Sequence, residues 1–164
     1  MQTEQMGAAN SVAALSRSEH LLVWALRTFA VGQSDCPVLE RTFRGACGEA
    51  GVRTLQAYFV LVRYIALKAR RRLRVHAPGC PCLSADEAAV VGVVAAAQAG
   101  DGTWDGLLDM RLAYLVRSGG REPLAFAAQA VGDALRQGGH QLPVRLDLGL
   151  EPASGTEPDL RVIH

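Results

Sequence analysis

Apolar side chains recur along this chain mostly at spacings of three and four, the period of a helix with one buried face. Leu22, Leu26 and Phe29 form the first stripe, with Leu21 and Trp24 beside it. Ser16-Arg17-Ser18-Glu19 stands before it as a capping box, in which the hydroxyl accepts the third amide and the carboxylate reaches back to the first. Gly32 is the stop. A second helix opens at Ser34-Asp35-Cys36-Pro37, since proline is tolerated in a first turn where its missing N–H would have no partner. Leu39, Phe43 and Cys47 follow at i, i+4 and i+8, and Gly48 and Gly51 bracket the end. A third helix is predicted from about Val52 to Arg71, with Leu55, Phe59, Val62 and Leu67 as apolar contacts. Its last turns hold Lys68, Arg70, Arg71 and Arg72, where cations complement the helix dipole.

Arg72-Leu73-Arg74-Val75-His76 then alternates with period two, a short extended piece, and Pro78-Gly79 and Pro81 exclude helix there. Ser84-Ala85-Asp86-Glu87 is a second capping box. It launches a helix over 85–99 that is apolar almost all round, which marks it as the central buried helix. Gly100-Asp101-Gly102 breaks it. Trp104, Leu107, Leu108, Leu112 and Leu115 give a fifth helix, closed by Ser118-Gly119-Gly120. Leu124, Ala127, Val131 and Leu135 give a sixth, from Glu122-Pro123 to Gly138-Gly139. Leu142, Val144, Leu146, Leu148 and Leu150 then alternate strictly, a strand signal. A lone strand is unstable, so this segment pairs with Leu73–Val75, lies on the helices, joins a second copy or serves as a recognition peptide. The expected fold is all-α: about six helices in a compact bundle around the Ala/Val-rich helix, with a short extended C-terminal segment. The expected organisation is a flexible N-terminus over 1–15, a helical domain over 16–139, the extended segment over 140–150 and a flexible tail over 151–164.

Composition narrows the function classes. The 164 residues are 49% apolar and 20% charged, ordinary for one globular domain and wrong for disorder. Aromatics are only 5%, so Leu, Val and Ala must fill the core. The net charge of +1 sets up no global field toward nucleic acid or membrane. It is unevenly spread, with 11 Arg/Lys against 5 Asp/Glu in residues 1–83 and 6 against 11 in residues 84–164. Two halves that complement each other, within one fold or between copies, account for this more simply than a basic ligand-binding face. The first residues show neither the basic nor the apolar region of a signal peptide, and no apolar run reaches the ~18 residues of a membrane span. A cytoplasmic location is expected, where four cysteines are free thiols or ligands rather than disulfides.

The candidate chemistry centres on residues 69–94. His76, Cys80 and Cys82 offer one imidazole and two thiolates, a partial zinc set. Cys36 and Cys47 lie eleven residues apart on one predicted helix, roughly 16 Å at ~1.5 Å per residue. At most one of them joins the turn. The plainer account is thiols packed between helices, with no cofactor. Redox chemistry is a further use, since a thiolate near Arg72, Arg74 and a helix N-terminus has a lowered pKa. The cluster of Lys68, Arg70, Arg71, Arg72 and Arg74 is of the kind that contacts phosphate, but the helix before it lacks the exposed polar face of a recognition helix. No phosphate loop, His-Glu-x-x-His or nucleophile elbow is present. His20, His140 and His164 lie in ordinary contexts, and Asp101, Asp105 and Asp109 read as a solvated face.

The run Gly79-Cys80-Pro81-Cys82-Leu83-Ser84-Ala85-Asp86-Glu87 after a long helix resembles a group of small alphaproteobacterial proteins that place a Cys/Pro turn before a capped Ala-rich helix. The resemblance covers about residues 16–100. It implies a compact bacterial helical domain and no particular activity. The chain thus reads as a small cytoplasmic interaction or regulatory protein, more non-catalytic than enzymatic. Its partner is a protein or a second copy, and its binding residues are the basic cluster 68–74 with Leu142, Val144, Leu146 and Leu148. A metal- or redox-responsive turn at His76, Cys80 and Cys82 is the alternative, and nucleic-acid binding through the basic cluster a second.

Overall fold

The computed structural model describes residues 11–100 and 106–146. Six α-helices occur in them: α1 (Arg17–Ala30), α2 (Pro37–Cys47), α3 (Gly51–Lys68), α4 (Ala85–Ala99), α5 (Gly106–Leu115) and α6 (Arg121–Gln137). Three 3-10 turns, Val12–Ala14, Gly48–Ala50 and Ser118–Gly120, precede α1, α3 and α6. The fold is all-α, as the spacing predicts. Among the described residues there is no strand, only isolated antiparallel bridges that join Ser11 to Cys82 and Ala69 to Val116. No helix among them is long and apolar enough to cross a membrane.

The α4 helix is the centre. Every residue from Asp86 to Gln98 is buried except the half-buried Gly92, and α1, α5 and α6 pack on it. Alanine and valine make this possible, because small side chains let neighbouring helices approach from all sides. Gly92 takes the argument to its limit. A Cβ there would stand 1.9 Å from Nη1 of Arg111 on α5. On the far side of α6 lies α3, and α2 packs against α3. Gly120, just before α6, touches Lys68 at the end of α3, and Gly138, just after α6, touches Cys47 just before α3. These two helices therefore run antiparallel. Leu22, Leu26, Leu39, Leu61, Leu112, Leu124 and Leu135 have no exposed surface. Each contributes about 1.5–3 kcal/mol by leaving water.

Four expectations change. The third helix ends at Lys68, so Arg70, Arg71 and Arg72 lie beyond it and do not compensate its dipole. Tertiary bonds stop it: Arg70 donates its amide to Leu115 O at 3.0 Å, and Arg117 donates its own to Lys68 O at 3.3 Å. Leu67, expected in the core, is 71% exposed, whereas Val62 is buried as expected, together with Thr54, Tyr58, Leu61 and Ile65. No ladder joins 72–76 to 142–146; Leu73, Val75 and Leu142 are each buried separately. Residues 11–15 fall in the stretch expected to be loose, yet Val12 donates to Pro81 O at 2.9 Å and Ser11 caps the turn that follows. Leu148, Leu150, Trp104, Asp101, Asp105 and the expected tail lie outside the described residues.

Candidate functional site

Ser84 caps α4 as its sequence predicts, accepting from Glu87 N at 3.0 Å while its own amide donates to Glu87 Oε2 at 2.8 Å. The two acids behind the cap gather four chain segments. Glu87, fully buried, accepts from Arg27 Nε at 2.7 Å and Nη2 at 3.0 Å, and from His76 N at 2.9 Å. Arg27, equally buried, spends its remaining donors on Cys80 O at 2.6 Å and Cys82 O at 2.5 Å. Asp86 takes both Nη atoms of Arg71 at 2.7 Å and the amide of Arg74 at 2.6 Å. Ser84 Oγ in turn donates to Arg74 O at 2.5 Å. A buried ion pair is tolerable only when its polar atoms are otherwise satisfied, and here every Arg27 guanidinium nitrogen and both Glu87 oxygens have a partner. Negative charge at a helix N-terminus gains further from the dipole.

The thiols are all free. Cys82 is exposed and Cys80 half-buried at the turn, Cys36 is half-buried at the start of α2, and Cys47 is buried at its end. The neighbouring Cys80 thiol pushes the Cys82 pKa up, with Arg27 opposing. This reverses the expected lowered pKa, because Cys80, desolvation and Glu87 together outweigh Arg27. Burial pushes the Cys47 thiol up, with the nearby Thr54 side chain opposing. Among the described residues no three His, Cys, Asp or Glu side chains gather as a metal site. His76 is thus not brought together with the two thiols, nor is Cys36 or Cys47.

The basic cluster is dispersed. Lys68 stands 5.9 Å from the Tyr64 ring, Arg70 donates to Ala113 O at 3.0 Å, and Arg71 lies 5.2 Å over Tyr114 besides its bond to Asp86. Arg72 remains exposed. The segment after α6 is clamped to the body. Leu142 is buried and donates its amide to Gln98 Oε1 at 2.7 Å, while Gln98 Nε2 donates to Gly132 O and His140 O. Arg145 pairs with Glu19 at 2.7 Å and donates to Ala14 O at 3.0 Å, and its own carbonyl accepts from Arg111. Burial raises the Glu19 carboxyl, but Arg145 and the Ser16 amide and hydroxyl outweigh it and hold it below its ordinary value. Between these clamps Val144 is 39% exposed, and past them Leu146 is 71% exposed.

One concavity escaped the reading of the sequence. A groove of about 700 Å³ between α1 and α2 is lined by Leu15, Arg17, His20, Leu21, Trp24, Thr42, Gly45, Ala46 and His140. His140 closes one end. Ala46 O accepts from its Nε2 at 2.8 Å, so that nitrogen carries a proton, and Ser18 Oγ lies 2.7 Å from Nδ1. Residues of α1, α2 and the segment after α6 meet here, and no spacing along the chain announces it. Comparison with protein families, with curated proteins and with solved structures finds no match for the chain.

Proposed function

We propose that the chain is a non-catalytic, cytoplasmic interaction or regulatory protein, and that it engages its partner through the segment that begins at Val144. One observation carries this reading: three clamps, Gln98, Glu19 and Arg111, hold residues 142–145 on the helical body, and the next apolar side chain, Leu146, is turned to solvent. The alternation continues in sequence through Leu148 and Leu150. Such a peptide suits addition to a sheet edge, whether of another protein or of a second copy. The basic cluster adds less support than expected, since Arg71 is committed to Asp86 and Arg70 to the end of α5. For the same reason the nucleic-acid reading recedes.

A chain ending at Arg145 keeps Leu142 and the Glu19 pair and should match the full chain in thermal midpoint. Light scattering and affinity capture are expected to show the full chain self-associated or partner-bound and the shortened chain neither. Equal behaviour of the two chains, or equal behaviour of Leu146→Asp, would overturn the proposal.

A further inference from the structure

We propose that the cavity between α1, α4, α5 and residues 143–145 is a site for one monovalent anion, chloride, held by Arg111. The cavity measures about 10 Å³. Glu19 of α1, Gly92 of α4, Arg111 of α5 and Arg145 line it, and apolar side chains such as Val23, Leu83 and Val91 close the rest. Arg111 is only 6% exposed. Its Nη2 donates to Arg145 O, but its enclosed Nε has no partner. The guanidinium lies against the backbone of Gly92, where a Cβ would overlap Nη1. A buried donor left without a partner in a well-packed fold points to a water or an ion beside it.

Charge decides between the two. A guanidinium keeps its proton even when buried, and a buried charge is costly unless it is paired. Glu19, the acid in the cavity wall, is spent on Arg145 at 2.7 Å and on the Ser16 amide at 2.7 Å. Burial accordingly pulls the Arg111 pKa below its ordinary value. The Arg145 carbonyl and a water offer dipoles, whereas an anion offers the missing charge. Size and walls then choose the anion. A single water needs a space of about 10–15 Å³, so this cavity admits one atom and shuts out phosphate, sulfate and carboxylates. Among monatomic anions chloride is only slightly larger than water, and it gives up its hydration shell more readily than fluoride, as apolar walls demand.

The test follows the thermal midpoint of the full chain as sodium chloride replaces sodium gluconate at constant ionic strength. The midpoint should rise by about 3–6 °C for each tenfold of chloride above the dissociation constant. Bromide should act in the same way, and crystals grown in bromide should show one anomalous scattering peak beside Arg111. Arg111→Met keeps most of the side-chain volume and loses the charge, so it should fold in gluconate and ignore chloride. Should that variant not fold, the bromide peak in the parent chain decides. Three outcomes would overturn the proposal. One is a parent midpoint indifferent to chloride, whether water fills the cavity or another carboxylate of the chain reaches Arg111. The others are a chloride response that survives Arg111→Met, and a bromide-grown crystal with no peak in the cavity.

Discussion

Glu19 performs two tasks that its sequence context reveals only by half. As the third helical residue of α1 it completes the capping box, with the Ser16 amide at 2.7 Å from Oε2. It also pairs with Arg145, 126 residues away. Its carboxyl titrates below its ordinary value of 4.5 in the folded chain. A carboxyl whose pKa falls on folding stabilises the fold above its unfolded value, and that stability is lost as pH drops through the folded value. Glu19→Gln should therefore cost about 1.5–3 kcal/mol at pH 7, the range of a hydrogen bond to a charged group. In urea titrations at successive pH values the difference from the parent should shrink below pH 4.5 and vanish in stronger acid. Glu87 repeats the lesson. Its capping role is written in Ser84-x-x-Glu87, but Arg27 is 60 residues away, and no local spacing names a partner chosen by packing.

At the scale of elements, the helices bounded by local chemistry were legible. A capping box and a glycine bracket a helix over 85–99, and the structure has α4 at Ala85–Ala99. The end of α3 was not legible. Leu, Lys and Arg all favour helix, and what stops it is the bridge from Ala69 to Val116. The approach of α2 to α3 likewise depends on a residue that looked like simple punctuation. A Cβ on Gly51 would stand 2.4 Å from Phe43 O, a backbone atom that cannot swing aside. Gly51→Ala should cost about 1–3 kcal/mol as the helices are forced apart, measured by chemical denaturation. Alanine has the higher helix propensity by about 1 kcal/mol, so a stabilised variant would refute the contact.

For the molecule as a whole, the unequal charge of the two halves resolves into pairs across them. Arg27 and Arg71 from the first half meet Glu87 and Asp86 from the second, while Glu19 meets Arg145 in the opposite sense. The bundle itself was visible in the 3.6-residue period. Its closure by residues 140–146 was not, because a strict alternation reads as strand and the actual partners are side chains of α1, α4 and α5. A chain ending at Gly139 removes the buried Leu142, leaves the Gln98 carbonyl without the Leu142 amide and frees Glu19. Deleting a buried leucine side chain alone costs about 2–5 kcal/mol. This truncation should lower the thermal midpoint sharply, whereas a chain ending at Leu146 should not; calorimetry separates the two.

The tether of residues 71–76 to the start of α4 also governs how a protease meets this chain. Lys68, Arg70, Arg71, Arg72 and Arg74 would make this stretch the most cleavable in the unfolded polypeptide for an enzyme that cuts after basic residues. In the native fold the Arg71 side chain is tied to Asp86 and the Arg74 peptide to Asp86 and Ser84, and a protease needs an extended strand it can lift from the surface. Cutting after Arg74 then requires the cap of α4 to come apart, so the digestion rate at that bond follows the population of opened molecules. The stretch richest in cleavage sites thereby becomes a clock for the opening of the core.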